Sequence, residues 1–229
     1  TKMPVPGAAA PAAAARALSG VREVIFIRHG QSIANVAPES ARSSLKYLDA
    51  PLTDLGRQQA DAWASNAAAK KAWDVDVVLT SPLIRAIETS ARIFQQDDAV
   101  PIQLVAAARE GWWEQTENRG RGAAALCAGT ATGMPGEPQL WPSLADLGVA
   151  AERIRGLGSI EESAAWDPLG EAELAARGGE GRAILEQRAD ATLSELKRQI
   201  MAAPARRLAV VCHYGVISRL CDVREVPNC

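Results

Sequence analysis

Glu23-Val24-Ile25-Phe26-Ile27-Arg28-His29-Gly30 and Leu208-Ala209-Val210-Val211-Cys212-His213-Tyr214-Gly215 are nearly the same sentence written twice. Each is a short apolar run that ends at a histidine beside a turn-forming glycine, and these are the only 2 histidines among 229 residues. Uninterrupted apolar runs of this length, bounded by turn signals, read as buried strands. In an open α/β sheet, ligands bind beyond the carboxyl ends of the strands, so two histidines placed there meet over one site. The competing reading is a pair of hydrogen-bonded core histidines, and the repeated context weighs against it.

The intervening chain supplies the rest of such a sheet. Thr53 reads as the N-cap of a helix running to about Ala72, and Asp76 to Thr80 as a second strand. Ser81-Pro82 then looks like the N-cap and first residue of a helix reaching about Gln96, with Ile102 to Val105 as a third strand. Alternating strands and helices imply crossover connections, hence a mostly parallel sheet with helices on both faces. Residues 111–180 break this rhythm, being rich in glycine and proline and holding four of the 6 tryptophans (112, 113, 141 and 166), and are expected to form an elaborated loop region. From Gly181 a helical period returns, with Leu185, Ala189, Leu193, Leu196 and Ile200 on one face. A strand at 208–212 and a short helix from Val216 to Cys221 close the pattern.

Residues 1–20 are rich in alanine and proline and lack a secretory apolar core, so they read as a flexible N-terminal arm, either a remnant of a targeting segment or a linker. Residues 21–229 then form a single domain, the size of which allows one substantial core at 48% hydrophobic content. A net charge of -2, from 25 basic and 27 acidic residues, gives no footprint for nucleic acid, and no run is long enough to span a membrane. Cys127, Cys212, Cys221 and Cys229 show no paired spacing, which favours reduced thiols, a cytoplasmic location with organelle import left open, and no zinc.

Arg28 precedes His29, and Arg85 follows the second strand, so two guanidiniums can converge on an anion. A neutral histidine beside converging positive charge suits attack on phosphorus, and the leaving alkoxide then needs a proton. Glu110, in Arg109-Glu110-Gly111-Trp112-Trp113, is the leading acid, because a partly desolvated carboxyl stays protonated to higher pH; Glu114 is the alternative.

Four separated motifs carry a resemblance. Arg28-His29-Gly30-Gln31-Ser32 with Asn35, then Asp49-Ala50-Pro51-Leu52-Thr53 with Gly56, then Thr80-Ser81-Pro82-Leu83 with Arg85-Ala86 and Thr89, and finally His213-Tyr214-Gly215 resemble the histidine phosphatase superfamily, which includes the cofactor-dependent phosphoglycerate mutases. The resemblance implies a three-layer α/β/α sandwich with a mostly parallel central sheet, phosphoglycerate mutase-like, and a phosphohistidine mechanism. In it His29 is the nucleophile, and Arg28, Arg85 and a protonated His213 clamp the phosphoryl group. Asn35 and Gly215 join the substrate pocket, and Glu110 is the acid by position. No cofactor or metal is implied, and the partner is a small phosphorylated substrate, with a homodimer as the common assembly.

Two departures matter. The family continues beyond an Asn-Cys pair into a further strand, whereas this sequence stops at Asn228-Cys229, so truncation with the loss of a sheet edge is the expectation. Residues 111–180, including Glu117-Asn118-Arg119-Gly120-Arg121, lack the basic insert that surrounds phosphoglycerate in the mutases. A phosphomonoester hydrolase is therefore the first reading. A phosphoglycerate mutase and a silent phosphate-binding regulatory module are the alternatives. Arg119 and Arg121 are candidates for reading a second anionic group.

Overall fold

A computed structural model describes residues 23–42, 44–66, 74–95, 100–111, 116–129, 142–162, 176–222 and 227–228. Among these residues five strands, β1 (Glu23–Arg28), β2 (Val77–Thr80), β3 (Ile102–Leu104), β4 (Ile154–Arg155) and β5 (Arg207–Cys212), form one sheet in the order β1-β5-β2-β3-β4. Every pairing is parallel. Among the described residues five α-helices flank it: α1 (Asp54–Ser65), α2 (Ile84–Ile93), α3 (Ala123–Ala128), α4 (Gly179–Ala202) and α5 (Tyr214–Cys221).

The strand order explains the layers. From β1 to β4 the chain moves across the sheet in one direction, and α4 carries it back to place β5 between β1 and β2. Crossovers of one hand that travel in opposite directions put their helices on opposite faces. Accordingly Ile27, Val78, Ala209 and Val211 pack with Ala60 of α1, Ile84 and Ile87 of α2, and Leu126 of α3. Leu79, Leu208, Val210 and Cys212 pack with Leu196 and Ile200 of α4 and with Val216 and Ile217 of α5. The alternation along β1 and β5 is the period-2 pleat of strands buried on both sides. The three-layer α/β/α sandwich is thus present.

On α4 the apolar face holds: Leu185, Ala189, Leu196 and Ile200 are buried, and Leu193 packs beside them. The first two helices differ from expectation. Thr53 does cap α1, its Oγ1 accepting the Gly56 N–H at 3.0 Å, but the helix ends at Ser65, where Asn66 turns extended at ψ 112, short of Ala72. Leu83, not Ser81, caps α2, because the Ser81 hydroxyl is engaged by the Leu83 N–H and His213, and the Asp49 carboxylate takes the first helical N–H, that of Ile84, at 2.8 Å. Residues 111–180 are not all loop either, since α3 and β4 lie there. β4 has only two residues, too few to display a period. The arm at 1–20 and the tryptophans at 112, 113, 141 and 166 lie outside the described residues.

Two backbones meet behind β1. A Cβ on Gly56 would lie 2.1 Å from the Gln31 carbonyl oxygen, and one on Gly30 would lie 2.6 Å from the Gly56 oxygen. Neither carbonyl can yield without moving the turn after His29. Gly56→Ala is expected to destabilise the fold by about 1–3 kcal/mol, the usual cost of overpacking. An unchanged thermal midpoint would show that the contact is not tight.

Candidate active site

The sheet register delivers the two histidines side by side. Arg28 is the partner of Cys212 across β1 and β5, and the His29 N–H donates to the Cys212 carbonyl at 3.1 Å. His29 continues the parity of Ile25 and Ile27, and His213 that of Ala209 and Val211, so both rings project toward the same face. Their centroids are 5.0 Å apart with the planes tilted by 58°.

His29 is buried, and its partners fix its tautomer. Arg85 Nε, which can only donate, lies 3.2 Å from His29 Nε2, so Nε2 carries a lone pair. His29 Nδ1 lies 2.7 Å from the Gly30 carbonyl oxygen, which can only accept, so Nδ1 carries the proton. Burial, with Arg85 next and Arg28 adding to it, drives the imidazole pKa well below the ordinary 6.5, while the Gly30 contact opposes this. The ring is therefore neutral near neutrality, with the Nε2 lone pair facing a guanidinium. Thr89 fixes the backbone here, its Oγ1 accepting the Gly30 N–H at 3.1 Å and donating to the Arg85 carbonyl at 2.7 Å.

Arg85 is the second residue of α2 and is only 3% exposed. Its Nη1 donates to the Glu117 carbonyl at 2.7 Å and its Nη2 to Asn118 Oδ1 at 2.7 Å. Burial pulls its pKa down, and Glu117, Asp49 and Glu110, in that order, hold it up, so the guanidinium stays charged. Arg28 places its guanidinium 5.7 Å from the Tyr214 ring centre, and its charge is felt by His29, His213 and Glu110.

His213 is fully buried, with Nε2 2.7 Å from Ser81 Oγ and no protein partner for Nδ1 among the described residues. Burial, followed by the charge of Arg85, lowers its pKa well below 6.5. This corrects the expectation of a protonated His213: in the unliganded site it is neutral, because a third cation beside two arginines in a desolvated pocket is unfavourable.

Glu110 lies beyond β3 and is 7% exposed. Its Oε1 accepts the Gly111 N–H at 2.9 Å and its Oε2 the Gly215 N–H at 3.1 Å. Those bonds and the nearby arginines favour the carboxylate, yet desolvation is the larger effect and the net pKa is raised. Gly215 thus contributes by orienting the Glu110 carboxyl. Asn35 Oδ1 accepts the Ser32 N–H at 2.9 Å in a capping box, which fixes the side chain beside the His29 turn. Glu114 lies outside the described residues. Arg121 does not face an open pocket, since it is 3% exposed and its Nε donates to Asp49 Oδ2 at 3.1 Å and its Nη2 to the Pro142 carbonyl at 3.2 Å.

Sequence reading missed Ser81 as the partner of His213, and Glu117 and Asn118 as the acceptors for Arg85. Thr89 and Asp49 stood in the quoted motifs without assigned roles. Among the described residues, no three His, Cys, Asp or Glu side chains cluster to hold a metal, and no helix is long and apolar enough to cross a membrane.

Comparison with known proteins finds several likenesses. Residues 24–126 match the family model of the histidine phosphatase superfamily (branch 1). A phosphoglycerate mutase-like protein of Arabidopsis thaliana is 38% identical over 96 residues, covering 38% of this chain and 35% of the relative. A mannitol-1-phosphatase of Eimeria tenella is 37% identical over 71 residues, covering 30% and 23%. The chain thus spans about a third or less of the length of these curated relatives. Among solved structures, a putative alpha-ribazole-5'-P phosphatase of Escherichia coli aligns over 87% of this chain and 80% of its own, at 20% identity and TM-score 0.45. A mycobacterial glucosyl-3-phosphoglycerate phosphatase aligns over 88% and 80%, at 22% identity and TM-score 0.44.

Proposed function

We propose that this chain, whose residues 24–126 belong to the histidine phosphatase superfamily, hydrolyses a phosphomonoester of a small metabolite through a phosphohistidine on His29. The observation that carries the reading is the enforced tautomer of His29, with Nδ1–H on the Gly30 carbonyl and the Nε2 lone pair against the Arg85 Nε–H. An incoming phosphoryl oxygen replaces that nitrogen as the acceptor for Arg85, which frees the lone pair for attack.

In the first half-reaction His29 Nε2 forms a bond to phosphorus as the bond to the leaving oxygen breaks, and the Glu110 proton passes to that oxygen. Arg85 and Arg28 stabilise the charge on the equatorial oxygens. Because the Leu83 N–H occupies Ser81 Oγ at 3.3 Å, the serine hydroxyl is read as donating to His213 Nε2. The ring proton then sits on His213 Nδ1 and donates to the phosphoryl group. In the second half-reaction the Glu110 carboxylate takes a proton from water, the water oxygen bonds phosphorus, and the electron pair of the N–P bond returns to Nε2.

A hydrolase is favoured over a mutase because Arg121, one of two loop arginines that would read a second anionic group, is committed to Asp49 and Pro142. Free phosphate released from p-nitrophenyl phosphate and a panel of phosphorylated metabolites tests this. Bisphosphoglycerate-dependent isomerisation would assign a mutase, and the absence of turnover would assign a binding module. Replacing Arg119 with alanine in the same panel shows whether that residue contributes selectivity.

The raised pKa of Glu110 has a defined sign. The acid works protonated in the first half-reaction, so kcat/KM for an alkyl phosphate is expected to fall as pH rises through its folded value, above the ordinary 4.5. Glu110→Gln is expected to remove that limb and to lower the rate by roughly 10²- to 10⁴-fold for alkyl esters, the usual worth of a general acid. Phosphoryl transfer from p-nitrophenyl phosphate, whose leaving group needs no proton, is expected to suffer much less. Equal losses for both esters would remove Glu110 from the acid role.

A further inference from the structure

We propose that Asn118 is a positioning residue for phosphoryl transfer: it aims Arg85, and the buried Asp49–Arg121 pair holds it in place to do so. The inference rests on the phosphatase reading above.

Arg85 is held along two edges by different kinds of contact. Its inner edge, Nε, meets the nucleophile. Its outer edge is pinned by two neutral oxygens from residues more than 30 positions away, the Glu117 carbonyl and Asn118 Oδ1, both at 2.7 Å. Asn118 is 2% exposed, so water does not compete for this bond. Neutral acceptors satisfy the outer edge of the buried guanidinium without adding a further negative charge to those of Glu117, Asp49 and Glu110 that already act on it. They also set its plane, and an in-line clamp needs that orientation before substrate arrives.

The acceptors need an anchor of their own, and Asp49 supplies it from both sides. Asp49 Oδ1 takes the Ile84 N–H, one residue before Arg85, and Oδ2 takes Arg121 Nε, three residues after Asn118. Asp49 adopts φ 43, an uncommon left-handed conformation for a residue other than glycine, and both side chains of the pair are at most 1% exposed. One carboxylate thereby ties the start of α2 to the segment that receives Arg85. Arg121 is thus part of the clamp's frame and not a substrate reader.

A double-mutant cycle tests this with Asn118→Leu and Arg85→Ala, using p-nitrophenyl phosphate. Asn118→Leu alone is expected to lower kcat by about tenfold, as for loss of one charge-assisted hydrogen bond, with KM changing less. In the Arg85→Ala background the same change is expected to alter kcat by less than about twofold, since the group being aimed is gone. The same loss in both backgrounds, or no loss in either, would overturn the proposal. If Asn118→Leu fails to fold, Asn118→Asp serves in the same cycle: it keeps the acceptor and adds negative charge beside the guanidinium, and is expected to raise KM only when Arg85 is present. A rise in both backgrounds would count against it. Absence of phosphatase turnover in the wild type would instead refute the function reading.

Discussion

Replacing His29 with alanine is expected to lower kcat/KM by roughly 10⁴-fold or more and to abolish covalent phosphoryl-enzyme, the scale of loss seen when a covalent nucleophile is deleted. Only one other histidine exists in the chain, so no other imidazole is available except His213. That ring cannot substitute. Its Nε2 is occupied by Ser81, and the remaining nitrogen, Nδ1, carries the proton in the arrangement proposed above. His213→Ala is therefore expected to behave differently, slowing phosphoryl transfer by about 10²- to 10³-fold, as for loss of one preorganised donor, while labelled enzyme still forms. Equal behaviour of the two variants in the labelling assay would remove the division of labour between them.

Arg85→Ala is expected to have the second-largest effect, about 10³-fold or more in kcat, comparable to loss of an arginine that stabilises charge on a transferring phosphoryl group. The same variant moves a second observable. Arg85 is the leading charge that lowers the His29 pKa, after burial itself. Removing a cation beside an imidazole stabilises the imidazolium, so the His29 pKa is expected to rise toward 6.5. Because the chain has two histidines, ring proton resonances assign readily from the His29→Ala spectrum. A His29 pKa that fell or stayed in place would contradict the contact between Arg85 Nε and His29 Nε2.

Local pattern carried most of the framework. β1 and β5 were legible because both are apolar runs closed by a turn residue, and α4 because its apolar face repeats over about four turns from Leu185 to Ile200. Their pairing, which sets the histidine rings 5.0 Å apart, follows from equal strand lengths ending at equivalent residues. What stayed hidden was long-range and polar. Ser81 looked like an N-cap because its neighbours Pro82 and Leu83 suit a helix start, and its hydroxyl is instead engaged by a histidine 132 residues away. Asn118 carried no role in the sequence reading and Arg121 read as a candidate for a second anionic group, since no periodicity marks a segment whose order comes from buried hydrogen bonds to Arg85 and Asp49. Such contacts leave no trace in local spacing. β4 escaped for a simpler reason, its two residues being too short for any pattern.

The most direct test of the central claim is the site of phosphorylation in the wild-type enzyme. Rapid mixing with a ³²P-labelled phosphomonoester, quenching in alkali and peptide mapping would locate the label, and ³¹P spectroscopy would identify the nitrogen that carries it. The enforced tautomer predicts phosphorus on Nε2 of His29. Label on His213, phosphorus on Nδ1 of His29, or steady turnover with no covalent phosphoryl-enzyme would contradict the account.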